Sequence, residues 1–208
     1  MRRKILSLFA ACTTTAFAIC FGPAFGQASP ARASQPAHGV AASGVHAGAA
    51  TGNRDGTHDF DFNVGTWHTH IRSLRHPRTG PANWVEFDGT VVEQKIYDGA
   101  LVEHIQASGP AGHFEGLTLF LYNPQSHQWS QIYASRSSGT LESPAIGEFS
   151  NGRGELISQE SYQGRLIPVR AVWSDIKPDS HSFELDNSYD YGKTWEPDFV
   201  ARLTRISR

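Results

Sequence analysis

The stretch Phe62-Asn63-Val64-Gly65-Thr66-Trp67-His68-Thr69-His70-Ile71 decides the fold. A glycine comes two residues before an indole, and beyond it Trp67, Thr69 and Ile71 alternate with His68, His70 and Arg72. That period of two is the signature of a strand with one face inward and the other in water. A second glycine-to-tryptophan motif, Ser188-Tyr189-Asp190-Tyr191-Gly192-Lys193-Thr194-Trp195, lies near the far end of the chain.

Between the two motifs, glycine or proline interrupts almost every window before a three-turn helix could form, while Val, Ile, Phe, Tyr, Trp and Thr recur between the breaks. Strands are predicted over 64–74, 84–95, 100–107, 114–122, 129–136, 141–149, 155–162, 166–174, 180–189 and 196–206. Asn123-Pro124, Asn151-Gly152 and Gln163-Gly164 supply turn chemistry between them. Connections this short make sequential strands antiparallel neighbours, and closing such a meander removes its exposed edges. The expected fold is all-β, a closed or nearly closed antiparallel up-and-down barrel of about 8–10 strands.

The chain before the barrel has two parts. Arg2, Arg3 and Lys4 precede an apolar run from Ile5 to Phe21, with small residues at Ala24-Phe25-Gly26, the three-part form of a secretory signal over 1–26. An uncleaved anchor is the competing reading, weakened by Thr13 to Thr15 and by Pro23, so no integral membrane anchor is expected and the protein is read as exported, periplasmic or secreted. Cys12 and Cys20 both sit in this leader, and cleavage leaves no thiol for disulfides or cysteine chemistry. Phe9-Ala10-Ala11-Cys12 loosely resembles a lipoprotein box, which leaves lipidation at Cys12 open.

Residues 27–57 are rich in Ala, Gly, Ser and Pro and almost free of large apolar side chains, so they read as a disordered linker. His38, His46 and His58 are too scattered for a metal tract. Removal of the leader changes 18 basic and 20 acidic residues to 15 and 20, a formal charge of −5 that argues against nucleic acid and anionic membranes as partners. The remaining span, 58–208, suffices for a single domain with one core.

Period-two alternation orients several strands. Ile167, Val169, Ala171 and Trp173 form one inward row with Arg170 outside, and Phe183, Leu185 and Tyr189 form another with Glu184 and Asp186 outside. Cross-strand ion pairs to Arg170 follow, each worth little at a surface. Phe114, Gly116, Thr118 and Phe120 share one face of their strand, and Leu117, Leu119 and Leu121 line the other. A strand apolar on both faces should be covered outside, which points to a homodimer.

Inward polar groups are the candidate site. Gln131 and Tyr133 accompany Trp129, Glu160 and Tyr162 accompany Leu156, and Glu103 accompanies Leu101 and Ile105. Two buried acids in one barrel imply a polar pocket, whereas a strand phase off by one would put both in water. The expectation is an apolar or amphipathic small-molecule ligand, with Trp129, Tyr133, Tyr162 and Trp173 as walls and Gln131, Glu103 or Glu160 fixing orientation. Paired carboxylates leave an enzyme open, and the leucine face leaves a structural or interaction protein open. No catalytic residue is assigned. His68 and His70 have a spacing that could offer two imidazoles to a metal, but their phase puts them in water with no third ligand nearer than His76 or His58, so no metal site is assigned.

Gly65-Thr66-Trp67 resembles the Gly-x-Trp entry of lipocalins and other calycins. The resemblance implies that Trp67 closes one barrel end and that an arginine of the last strand, Arg205 before Arg202, stacks on it. The octet from Ser188 to Trp195 resembles the aspartate-box hairpin, which implies that Asp190 accepts turn N–H groups, Gly192 takes positive φ and Trp195 packs beneath the loop. With His58-Asp59-Phe60-Asp61 leading into the entry motif and Tyr122-Asn123-Pro124-Gln125-Ser126-His127-Gln128-Trp129, the domain resembles an uncharacterised family of bacterial exported calycin-like barrels over about 59–205. Nitrobindin-type haem barrels are implied as distant kin. They carry an axial histidine near the final strands, and no histidine follows His181 here, so no cofactor is expected.

Overall fold

A computed structural model describes residues 55–75 and 81–208. The expected signal 1–26, Cys12, most of the linker 27–57 and His76 lie outside the described residues. A short 3-10 turn, Asp61–Asn63, leads into ten antiparallel strands: β1 (Gly65–Arg75), β2 (Asn83–Tyr97), β3 (Ala100–Gly109), β4 (Gly112–Asn123), β5 (Gln128–Ser135), β6 (Ala145–Ser150), β7 (Arg153–Tyr162), β8 (Arg165–Lys177), β9 (Ser180–Asn187) and β10 (Glu196–Ser207). Each pairs with its neighbours in sequence, and β1 pairs with β10 to close the barrel. Every strand has a neighbour on both sides, as expected of the meander, but β5 and β6 pair only over Trp129–Gln131 and β7 beyond Ile157 has no ladder partner on its β6 side.

Turn chemistry fixes the register. Asn151-Gly152 and Gln163-Gly164 each take two successive positive φ values, 53° and 74°, then 50° and 79°, matching the twist of the hairpins they close. The one strand that starts late is β6. Pro144 has no N–H for the ladder, so before Ala145 the chain makes only an isolated bridge from Leu141 to Ala134, and Glu142 N–H donates to Tyr133 O.

One end of the barrel is solid. Phe60 packs on Phe120, Trp129, Phe149 and Trp173 with ring centroids 4.7–5.0 Å apart, and Leu101 and Leu156 complete a fully buried layer. Trp67 is wholly buried and donates Nε1–H to Asn63 O at 2.6 Å. The Arg205 guanidinium lies 3.8 Å from the Trp67 ring and donates to Pro178 O, Val64 O and Phe62 O at 2.7–2.8 Å. Arg205 therefore joins the last strand to the entry turn and to the β8–β9 turn. Gly65 makes this possible: at φ 130° a Cβ would lie 2.5 Å from Ser207 O and 2.7 Å from Arg205 Nη1.

The aspartate-box hairpin follows β9. Asp190 Oδ1 accepts N–H groups from Lys193 and Thr194, Ser188 Oγ accepts from Gly192 N, and Gly192 takes φ 88°. Trp195 packs against Arg170, whose guanidinium is 4.4 Å from the ring. This changes one expectation. Arg170 donates to Asp186 Oδ2 at 2.8 and 3.1 Å, and Asp186 is buried, so the pair is covered by the hairpin indole instead of standing at the surface. Tyr189 falls beyond the end of β9 and so leaves the row begun by Phe183 and Leu185.

Trp67→Ala should cost about 3–5 kcal/mol in urea unfolding, and Arg205→Ala about 2 kcal/mol, because three carbonyls, two of them part-buried, lose their donors along with the stacked cation. Arg205→Lys should fall between wild type and Arg205→Ala, since an ammonium cannot span the same three acceptors. An Arg205→Ala variant as stable as wild type would mean that the stack does not hold the floor.

Candidate functional site

Above the floor, the inner wall changes character. Glu93 on β2, Glu103 on β3, Thr118 on β4 and Tyr133 on β5 sit directly opposite one another in successive strand pairs, so they form one row across four strands. The row continues to Glu142, whose N–H meets Tyr133 O. Thr118 Oγ1 donates to Glu103 Oε1 at 3.0 Å, and Asn63 Nδ2 donates to Glu93 Oε2. Asn63 and Glu93 are each only 1% exposed. Gly116 lets the row bend inward, because the Tyr133 phenol occupies the space a Cβ there would need.

Electrostatics follow from this geometry. Burial pushes both Glu93 and Glu103 above the ordinary carboxylate range, and the neighbouring Glu103 raises Glu93 further. Burial also raises the Tyr133 phenol to about 12, with Glu142 and then Glu103 adding to the effect. At the open end Glu142 is raised by burial, Glu160 by burial and then by Glu142, and Asp198 reaches about 6 through burial despite accepting from Asn187 Nδ2 at 2.6 Å. Glu160 is exposed by area yet flanked by protein at the mouth, so its shift is a consequence of the other carboxyls as well as of desolvation. Tyr162 and Tyr189 stack nearby at 4.9 Å.

The sequence-predicted site residues divide between the two levels. Trp129 and Trp173 are buried in the floor around Phe60, and Trp129 Nε1–H donates to Gly56 O. Gln131, Tyr133 and Glu103 point inward above that layer, and Glu160 and Tyr162 stand at the mouth. Sequence reasoning missed Glu93, Asn63, Thr118 and Asp198 as site groups. The alternation Phe87, Val91, Glu93 carried the signal for the first. Phe60 and Asn63 precede the first strand, where no period applies.

His68 and His70 stand on the outer wall beside Asp88 Oδ1, at 3.6 and 3.0 Å. Among the described residues no group of three or more His, Cys, Asp or Glu side chains is arranged to hold a metal ion. His181 does not fit a haem. It is buried edge-on against Trp67 at 4.6 Å and Phe62 at 5.2 Å, so a porphyrin on it would have to displace the floor. Burial, and then Arg205, lower its pKa to about 4, leaving it neutral. A cleft of about 570 Å³ lies below the floor beside Asp61, Lys177 and Arg205, outside the inner row.

The raised carboxyls fix a sign for pH dependence. Above about pH 4.5 and up to the raised values, the native state holds protons that the unfolded chain releases, so this contribution to stability is complete below that window and is lost as pH rises through it. His181 acts oppositely, losing stability as pH falls from 6.5 toward 4. Glu93→Gln should flatten the alkaline decline in urea unfolding between pH 5 and 9 while leaving the His181 limb intact. Parallel wild-type and variant curves would show that Glu93 holds no proton in the native state.

No family model matches the chain, and no curated protein matches it. Among solved structures, the crystal structure of Rv2717c from M. tuberculosis is similar with a TM-score of 0.51 and 15% identity, covering 73% of this chain and 98% of that one. A de novo designed fluorescence-activating β-barrel gives 0.39 and 14%, over 74% and 99%, and the barrel mFAP2b bound to DFHBI gives 0.40 and 11%, over 72% and 98%. At such identities the first of these likenesses is one of β-barrel fold alone.

Proposed function

We propose that this chain is an exported calycin-like barrel that binds a small amphipathic molecule in its open half. The observation that carries this reading is a partly accessible stretch of inner wall on β3 and β5. Floor residues such as Trp67, Leu101, Trp129 and Leu156 are completely buried, and Ile71, Phe87, Ala107 and Val169 nearer the mouth are buried too, whereas Glu103, Ile105, Gln131 and Tyr133 remain partly accessible. A barrel filled evenly by its own side chains would leave no such stretch. Apolar rings below and polar groups along one side suit a ligand with an apolar body and a polar head. Export rests on the charged and apolar segments of 1–26 and is tested by the intact mass of secreted protein.

Titration with N-phenyl-1-naphthylamine, a fluorescent apolar probe, tests binding. Wild type should give saturable enhancement at a stoichiometry near one. Ile105→Trp, which fills the accessible level, should weaken it by about tenfold or more with the β-sheet circular dichroism unchanged. Absence of binding to wild type, or full binding to Ile105→Trp, would remove the reading.

A homodimer is the second reading, favoured by the outer wall of β3–β7. Leu117, Ile146 and Ile157 are 44%, 45% and 39% exposed, and Val102, Leu119 and Ile132 pair across the strands beside them. A shallow groove of about 270 Å³ at Val92, Gln94, Val102 and His104 extends the band. A second copy would pack face to face on this band, and a standard interface buries ~800 Å² per partner. Light scattering at micromolar concentration should report twice the chain mass for wild type and one chain mass for Leu117→Glu. A monomeric wild type would reject this reading.

A further inference from the structure

We infer that the head group taken by this barrel is a cation of the organic ammonium class, seated on the Asn63–Glu93–Glu103 acceptors at the bottom of the accessible level. The inference rests on the small-molecule reading above and specifies its chemistry. The first observation is geometric: two carboxyls, one amide and one hydroxyl converge at the inner end of the polar row, with Thr118 Oγ1 on Glu103 and Asn63 Nδ2 on Glu93. The second is independent of the acids. Asn63 Oδ1 is buried beside the pair and receives no hydrogen bond. Glu93 Oε1 likewise takes no protein donor. Two open acceptors side by side suit a head group that brings N–H donors.

Charge selects ammonium over a neutral hydroxyl. Moving outward from Glu103, a ligand passes Tyr133 and then Glu142, Glu160 and Asp198, all groups that favour a cation. Arg205 is below Trp67 and bonded to three carbonyls, and His181 against Trp67 is held neutral by burial. At the rim Arg75 donates to Ala111 O while its Nε has no partner, and Arg165 donates to Tyr189 O, so both rim cations stand away from the Asn63–Glu93–Glu103 seat. An ammonium on that seat faces the two carboxyls directly. Inward apolar side chains such as Ile105 and Leu185 accommodate the rest of the molecule. An anionic head would meet the carboxyls of Glu142, Glu160, Asp198 and Glu103 in turn, with no cation at the seat to receive it.

The test is displacement of N-phenyl-1-naphthylamine from the full barrel by octylamine, octanol and octanoate at pH 7.5. Octylamine should compete at least tenfold better than octanol, and octanoate should compete worst. Glu103→Gln should abolish the amine preference, so that octylamine and octanol displace the bound probe at equal concentrations. Equal competition by amine and alcohol in wild type would overturn the inference even if no variant folds. A preference that survives Glu103→Gln and Glu93→Gln but disappears in Glu142→Gln/Glu160→Gln would place the cation at the mouth and overturn the inner seat. Failure of the probe itself to bind would remove the binding reading, an outcome distinct from probe binding without amine selectivity.

Discussion

The contact between Arg205 and Trp67 is the constraint on which the barrel depends. A closed meander must join its first and last strands, and here the β1–β10 ladder is backed by a stacked cation that also holds three backbone carbonyls. Carbonyls of the entry turn that point away from the ladder need a donor from elsewhere in the chain. The guanidinium supplies it from the opposite end of the chain. Gly65 is required because the last strand and the arginine fork occupy the position of its absent side chain.

Once that end is sealed, the two halves of the barrel have different tasks. Phe60 and its ring of aromatic neighbours fill the floor, whose indole N–H groups are taken by Asn63 O and Gly56 O. Asn63 is the hinge between the levels. Its backbone oxygen accepts from Trp67 and its side-chain amide donates to Glu93, so the residue that fixes the indole also orients the first carboxyl of the inner row. A carboxyl pair this deep would be destabilising if both members were ionised; burial moves both toward the neutral acid, and Thr118 and Asn63 each donate to one member. The protein retains a costly group there, next to acceptors it does not fill, which is the pattern of a site more than of a core.

Much of this was legible from residue order. Trp67, Thr69 and Ile71 are buried and His68 is exposed, as a period of two requires, and the same parity correctly turned Glu103, Gln131 and Tyr133 inward. The turn residues at Asn151 and Gln163 fixed hairpins, and only Pro144 displaced a strand start by several residues. Other features had no local signature. Phe60 and Asn63 act from a 3-10 turn, where their partners are set by the closure of distant strands. Asp198 lies at the register shift between Pro197 and Phe199, and a bulge breaks the parity on which an inward assignment relies.

The hairpin after β9 shows why a motif can be legible while its consequence is not. Ser188 and Asp190 bind the turn as their spacing implies, a purely local matter. The role of Trp195 depends on what the barrel wall presents under it, and that is Arg170, already bound to Asp186. Covering this pair reduces its access to water and strengthens an interaction that would be weak on an open surface. The aspartate box therefore acts beyond its own loop, by pressing an indole onto an ion pair that ties β8 to β9. The mouth, lined on this side by Tyr189 and Asn187, inherits its shape from that clamp, while its chemistry comes from carboxyls on β7, β10 and the segment before β6.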